Sequence, residues 1–199
     1  MRCFNCERVS WRIFCEDCKL ALKDFECGKR NLGEFGVYYF YKYEMIKHIL
    51  HTKHHLCGWF ALRSFAKIVF EEFLAQNGEI FAANEFVLLP IDDVLKGGYS
   101  HTALIAKQFS HPSFTTHFGG LRAQNSVTYS GKSLQFRQEN SREFKLSLRA
   151  KNLLLSSGKP AVLLDDIITS GETMKQAAAE LRRHGVEVAF GIVLADAGF

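Results

Sequence analysis

The chain has 199 residues, 47% of them apolar, enough to build one sizeable domain with a small appendage and too much for a disordered protein. No apolar run reaches the roughly 18 residues that a membrane-spanning helix needs. The opening Met1-Arg2-Cys3-Phe4-Asn5-Cys6 lacks the apolar segment of a secretory signal, so a cytoplasmic location is expected.

Residues 1–31 carry Cys3, Cys6, Cys15 and Cys18, two C-x-x-C pairs in a polar segment too short to bury a core of its own. Four thiolates at this spacing can close a tetrahedral shell around Zn²⁺, and the metal then supplies the missing folding free energy. The other reading is a pair of redox or disulfide couples, which a reducing cytosol disfavours. Cys27 and Cys57 stand alone, and Cys27-Gly28 reads as the remnant of a further knuckle. The predicted division is therefore a four-cysteine zinc-finger-like module over 1–31 and a second domain over 32–199.

Gly36–Tyr43 is dense in aromatics and predicts a strand or hairpin arm. From Glu44 to Gln76 the pattern is helical, with an interruption near His55–Gly58. Its second part places Trp59, Phe60, Leu62, Phe65, Ala66, Val69, Phe70 and Phe73 on a broad apolar face, which predicts a core helix. Phe86–Ile91 is a continuous apolar run of the kind found in buried parallel strands. A polar turn over Asp92–Gly98 and a helix over Ser100–Phe109 follow, making a βα unit. Lys96 and Gly97 in that turn are candidates for contact with a pyrophosphate. Ser113–His117 predicts another strand, Leu121–Asn140 a polar loop over a ligand site, and Leu146–Leu155 a helix.

The stretch Val162-Leu163-Leu164-Asp165-Asp166-Ile167-Ile168-Thr169-Ser170-Gly171-Glu172-Thr173-Met174 is the most informative in the chain. An apolar strand delivers two acids to its carboxyl end, where open α/β sheets bind ligands. The turn Thr169 to Thr173 can aim successive amides at a phosphate, helped by the N-terminal end of the next helix. Gly171 permits close approach, and Thr169, Ser170 and Thr173 add hydroxyls, with Glu172 inside the same turn. Met174, Ala177, Ala178 and Leu181 form one buried stripe, and Gly185 stops the helix. Thr173 with Gln176 and Thr169 with Glu172 fit a capping box equally well, so the helix start stays open. Val186–Leu194 reads as the next strand.

This pattern resembles the signature of the type I phosphoribosyltransferases. The resemblance implies an α/β fold with a parallel sheet flanked by helices. It also implies that Asp165 and Asp166 hold the ribose hydroxyls of phosphoribosyl pyrophosphate (PRPP) in a catalytic position, while Thr169, Ser170, Gly171, Glu172 and Thr173 cradle the 5-phosphate. A strand that ends in two acids at a plain glycine corner is the alternative.

With the cysteine module, the whole chain resembles the ComF family of competence proteins. Arg137-x-x-Asn140 followed by Phe144 matches that family's segment before the last βα unit, and it places Arg137 on the pyrophosphate side. Pro90-Ile91 followed by Gly97-Gly98-Tyr99 sits where the family reads Pro-Val-Pro and then Arg-Gly-Phe-Asn-Gln. Gly97 stands for the Arg, and Ser100-His101 for the Asn-Gln pair. The resemblance implies a role in natural transformation, moving single-stranded DNA across the inner membrane. It implies PRPP, single-stranded DNA and inner-membrane uptake proteins as partners, structural Zn²⁺, and Mg²⁺ arriving with PRPP.

Charge is uneven. Between Lys42 and Lys67, Lys42, Lys47, Lys53, Arg63 and Lys67 face only Glu44; between Arg122 and Lys151, seven basic residues face two acids. These stretches fit a polyanionic partner, DNA included, and they fit solvated faces equally well. Tyr39, Tyr41, Tyr43 and Trp59 offer rings for stacking on bases or for core packing. Two other functions remain open on the sequence. One is a housekeeping phosphoribosyltransferase acting on a nitrogen nucleophile. The other is a zinc-module nucleic-acid binder whose phosphate loop is a relic.

Overall fold

The computed structural model describes residues 1–92, 99–124 and 143–198. Lys96, Gly97, Arg137 and Asn140 lie outside the described residues.

The N-terminal segment holds one short helix, α1 (Glu16–Ala21), and an isolated bridge between Arg2 and Val9. Strand β1 (Gly28–Asn31) pairs antiparallel with β2 (Gly36–Lys42), so the end of the 1–31 segment is already part of the sheet. Helix α2 (Tyr43–Leu50), a 3-10 turn (His51–His54) and helix α3 (Leu56–Phe81) follow. Next come β3 (Phe86–Asp92), α4 (His101–Ala106), β4 (Phe114–Thr116), β5 (Leu121–Ala123), β6 (Phe144–Leu146) and α5 (Leu148–Ser157). The chain closes with β7 (Ala161–Ile168), α6 (Glu172–Arg183) and β8 (Val188–Asp196).

Among the described residues the strands form one eight-stranded sheet in the order β1-β2-β8-β7-β3-β5-β6, with β4 also on β3. The interior pairings β2–β8, β8–β7, β7–β3, β3–β4 and β3–β5 are parallel, and the two ends, β1–β2 and β5–β6, are antiparallel. This is the expected α/β class, with antiparallel edges that the periodicity does not announce. Every residue of β3 is buried, as its unbroken apolar run requires.

Helices cover both faces. On one, Leu62, Phe65, Ala66, Val69, Phe70 and Phe73 of α3 pack with Leu104 and Ile105 of α4 and with Val162, Leu164, Ile192 and Leu194 of the sheet. Phenylalanines meet edge to face there: Phe40 and Phe73 have centroids 5.1 Å apart, and Phe70 and Phe109 5.0 Å. Such pairs add about 0.5–1.5 kcal/mol beyond area burial. On the other face Ala150 and Leu154 of α5 and Met174, Ala177, Ala178 and Leu181 of α6 pack on Leu163, Leu89 and Val193. The stripe predicted for α6 is the one that is buried.

The cysteine segment docks on the first face. Cys3, Phe14, Cys18 and Leu22 join that core, Lys23 pairs with Glu72 of α3 at 2.8 Å, and the Tyr41 hydroxyl donates to the Leu22 carbonyl. The interruption predicted near His55–Gly58 lies a few residues earlier, at the 3-10 turn His51–His54 and the N-cap His55, and Leu56 to Gly58 already belong to α3. Thr52 Oγ1 donates to the Ile49 carbonyl at 2.6 Å, and the His55 N–H donates to the Thr52 carbonyl at 2.8 Å. Gly58 lets α3 pass against this turn, because a Cβ there would stand 1.8 Å from the Thr52 carbonyl oxygen.

Three sequence expectations are corrected. The loop predicted over Leu121–Asn140 begins as strand β5, and residues 144–146 return as its antiparallel partner. The helix predicted from Leu146 starts at Leu148, with Ser147 as N-cap accepting from the Ala150 N–H at 3.2 Å. Neither threonine caps α6: the N-cap position is Gly171, in the left-handed region at φ 81°.

Candidate functional site

Strand β7 carries Asp165 and Asp166 in its second half, with Leu164 level with Pro90 of β3 on one side and Asp165 level with Val193 of β8 on the other. Neighbouring strand residues point to opposite faces, which would part the two acids. They are instead drawn together, because the Asp166 N–H donates to Asp165 Oδ1 at 2.9 Å and turns that carboxyl along the strand.

Asp166 is buried at 5% exposure on the face covered by α3 and α4. Lys53, from the 3-10 turn, reaches its Oδ2 at 2.6 Å, and His101 Nε2 at the start of α4 stands 3.7 Å from the same oxygen. The lysine is fixed from behind by Tyr99, whose hydroxyl donates to the Lys53 carbonyl at 2.7 Å. Burial works to raise the Asp166 pKa, but the charges of Lys53 and His101 with the lysine hydrogen bond hold it well below the usual carboxylate range. Asp165 goes the other way: burial and the Asp166 charge beside it push it well above that range. Burial opposes the charge on Lys53, and the acid pair outweighs it and raises that pKa. The pair thus holds one firm negative charge on Asp166 beside a carboxyl, Asp165, that is driven toward its neutral form.

Beyond Ile168 the chain turns through Thr169, Ser170 and Gly171 into α6, a helix of 12 residues. Gly171 adopts φ 81°, and a Cβ there would meet Leu32 Cδ2 at 2.6 Å. A side chain would be strained by the backbone and crowded by the β1–β2 hairpin at once. The Glu172 N–H lies 3.5 Å from Ser170 Oγ, and the first regular helix bond is from the Lys175 N–H to the Gly171 carbonyl at 3.0 Å. The amides of the first turn, Glu172, Thr173 and Met174, therefore have no intrahelical acceptor and form the kind of donor set that receives an anion.

Arg30 of β1 braces this turn, donating through Nη1 to the Thr169 carbonyl and to Asp196 Oδ1 at 2.9 Å. Asp196, at the end of β8, also accepts from the Gly198 N–H at 2.8 Å, and the Ala197 N–H donates to the Ile168 carbonyl at 2.8 Å. Asp92 ends β3 as an anchor for the neighbouring corner. It accepts from Ser100 Oγ at 2.6 Å, Thr102 Oγ1 at 3.2 Å and the Gly119 N–H at 3.2 Å.

Sequence reasoning finds the acid pair and the turn and misses Arg30, Lys53 and His101 as their partners. It places Lys53 on a DNA face, whereas the ammonium sits on Asp166. The remaining residues of that set each have a local partner. Lys47 pairs with Glu44 and Lys67 with Glu71, each within the same helix, Arg63 stacks over Trp59 at 5.2 Å, and Lys42 stands 3.6 Å from Asp196. Tyr41, one of the rings offered for stacking on bases, is buried in the core.

In the N-terminal segment the sulfurs of Cys3, Cys6, Cys15 and Cys18 all lie within 4.8 Å of one another, and those of Cys6 and Cys15 are 3.6 Å apart. Four thiolates about 2.3 Å from a tetrahedral ion stand about 3.8 Å apart, so the set fits zinc. Donors surround the sulfurs. Arg8 Nε lies 3.4 Å from Cys6 Sγ and Asn5 Nδ2 3.4 Å from Cys18 Sγ, while the Cys15 N–H donates to Cys3 Sγ at 3.3 Å. Hydrogen bonding by Arg8 holds the Cys6 thiol down at about 6, favouring the thiolate that a metal needs. His101, Asp165 and Asp166 also offer atoms within 4.8 Å of one another, but Lys53 already neutralises Asp166. That donor set does not form an all-protein cage for a hard cation, and Mg²⁺ would enter on the phosphates of a ligand.

A parallel-centred sheet with an acid pair and an amide-lined turn at one strand's carboxyl end defines a phosphoribosyltransferase-like fold. The family model described as phosphoribosyl transferase domain matches residues 62–198, and the chain belongs to that family. Among solved structures it is similar to a hypoxanthine phosphoribosyltransferase from Staphylococcus aureus, at 18% identity and TM-score 0.43, over 67% of this chain and 64% of that one. A hypoxanthine phosphoribosyltransferase from Trypanosoma cruzi is similar at 17% identity and TM-score 0.38, over 68% of this chain and 63% of that one. The chain therefore spans a little under two thirds of the length of these structures. No curated protein matches it. No helix among the described residues is long and apolar enough to cross a membrane.

Proposed function

We propose that this chain binds PRPP and serves natural transformation as a factor in the uptake of single-stranded DNA, working in the cytoplasm or at the cytoplasmic face of the inner membrane with the uptake proteins there. The observation that carries the reading is the acid pair of β7 set against the open amides of α6. Asp165 and Asp166 take the ribose hydroxyls, and the turn from Thr169 to Thr173 takes the 5-phosphate. Asp166 stays charged and fixes one hydroxyl as acceptor. Asp165, closer to neutral, offers a proton donor or acceptor to the other. Lys53 and His101 approach from the helical face and add positive charge beside the sugar. Mg²⁺, carried by the pyrophosphate, neutralises that group and orients it. Residues 1–31 act as a zinc-held module, with Cys3, Cys6, Cys15 and Cys18 as ligands. The resemblance of the paired modules to competence proteins supports the DNA role.

Family membership favours a second reading, a housekeeping transferase. In that reaction a nitrogen nucleophile forms a bond to carbon 1 of PRPP as the bond to pyrophosphate breaks. The departing pyrophosphate takes the bonding pair, and the nitrogen sheds its proton. The acid pair would offset the positive charge that develops on the ribose.

Two assays on the full zinc-loaded chain separate the readings. The uptake factor is expected to bind single-stranded DNA with an affinity that falls steeply as salt rises, by a log–log slope of about −0.7 per phosphate neutralised. It is expected to release no more pyrophosphate with a panel of nucleobases than without them. Base-dependent pyrophosphate release with salt-insensitive or absent DNA binding would establish the transferase instead.

A further inference from the structure

Three residues of the second basic stretch, Arg122, Lys145 and Arg149, line a cavity of about 430 Å³ at the sheet edge, within the range of sites for small ligands. Its wall is built by β5, β6, the segment before β5 and the first turn of α5, through His117, Arg122, Gln124, Lys145, Ser147 and Arg149. Among the described residues that line it there is no carboxylate.

Its charges are arranged at a cost. Arg122 and Lys145 are level with one another on the antiparallel β5–β6 ladder. Their neighbours Leu121, Ala123, Phe144 and Leu146 are buried, so both cations emerge on the same, exposed face. Side chains in that relation have Cβ atoms about 4.5–5.5 Å apart, and like charges there repel. Arg149, exposed on the first turn of α5, adds a third cation, and His117 stands beside them. Among the described residues none of the four has a carboxylate partner within ion-pair distance. Of the acids near this corner, Asp92 is engaged by Ser100, Thr102 and the Gly119 N–H, and Glu143, exposed two residues before Lys145, is not among the residues that line the cavity. The positive end of the ten-residue α5 faces the same space, its start fixed by the Ser147 N–H donating to the Gly120 carbonyl at 2.8 Å. A concave wall with three cations, an imidazole and, among the described residues that line it, no carboxylate is complementary to a multiply charged anion.

We propose that this cavity is a second anion site that takes a compact ligand bearing two or more linked phosphate groups, separate from the turn at Thr169–Thr173. Arg122 and Arg149 supply paired N–H donors for phosphate oxygens, and Lys145 a point charge between them. Gln124 and Ser147 offer neutral hydrogen bonds to the remainder of the ligand. The concavity favours a compact ligand over an extended polymer, which would need a groove that continues past the pocket.

The test is calorimetry on the full zinc-loaded chain, with inorganic pyrophosphate as probe for this cavity and ribose 5-phosphate as probe for the turn after β7. Arg122→Ala with Lys145→Ala is expected to weaken pyrophosphate binding roughly tenfold or more and leave ribose 5-phosphate unchanged. Arg149→Ala, a surface change on α5 that spares the strands, is expected to act in the same direction. Unchanged pyrophosphate affinity in both variants overturns the proposal. A parallel loss of ribose 5-phosphate would show that the cavity is part of the phosphoribosyl site, and also overturns it. A loss confined to a single-stranded oligonucleotide would assign the wall to a polymer and reject the compact ligand. Failure of the wild type to bind ribose 5-phosphate would count against the phosphoribosyl reading alone.

Discussion

Replacing Asp165 and Asp166 together by asparagine is expected to weaken PRPP binding by about 100-fold. Each hydroxyl–carboxylate hydrogen bond contributes about 1.5–3 kcal/mol, and an amide accepts less strongly and without charge. One charged bond, from Asp166, and one closer to neutral, from Asp165, lost together span roughly 2–4.5 kcal/mol, which is about one and a half to three powers of ten. The same change acts on stability through Lys53, whose ammonium lies 2.6 Å from Asp166 with only 20% of its side chain exposed. Removing one partner of a buried pair leaves the other charge desolvated, a loss of about 3 kcal/mol. Adding Lys53→Met removes the stranded ammonium, so it recovers melting temperature without recovering PRPP affinity. Calorimetry and thermal denaturation on the wild type, the double variant and the triple variant check both halves. Wild-type affinity in the double asparagine variant would remove the acids from the site.

The second large effect concerns the cysteines. Cys3→Ser or Cys15→Ser is expected to abolish stoichiometric zinc and to unfold the segment ahead of β1. Zinc binding by such a set is worth about 10–16 kcal/mol at neutral pH, comparable with the whole stability of a domain. The damage extends past the module, because Cys3, Phe14, Cys18 and Leu22 sit in the core that also holds Phe40, Phe65 and Phe70. Elemental analysis and hydrogen exchange over residues 1–24 measure the two consequences. A wild-type chain purified without chelators that carries no zinc would end the metal assignment.

Much of this is legible in the sequence because it is local. The acid pair, the glycine turn and the stripe of α6 lie within about 20 consecutive residues, and strand, turn and helix signals there agree. The two C-x-x-C pairs are just as compact. What escapes is whatever the sheet order brings together. Arg30 reaches Thr169 because β1 pairs with β2 and β2 runs beside β8, a placement that no local period encodes. Lys53 and His101 come from two separate elements on the covered face, and their spacing in the chain gives no hint that they meet at Asp166. In the sequence His101 reads as a mere departure from the competence-family pattern, whereas it stands at the acid pair. Strands β5 and β6 have three residues each, too few for alternation to declare itself, so the paired cations Arg122 and Lys145 read only as a charge run.

The most direct measurement is a crystal structure of the chain with PRPP and Mg²⁺. The 5-phosphate is expected among the first-turn amides of α6, the ribose hydroxyls on Asp165 and Asp166, and the Lys53 ammonium drawn from Asp166 toward the ligand. A phosphate bound elsewhere, with those amides turned from the ligand and the acid pair still closed on Lys53, would contradict the site.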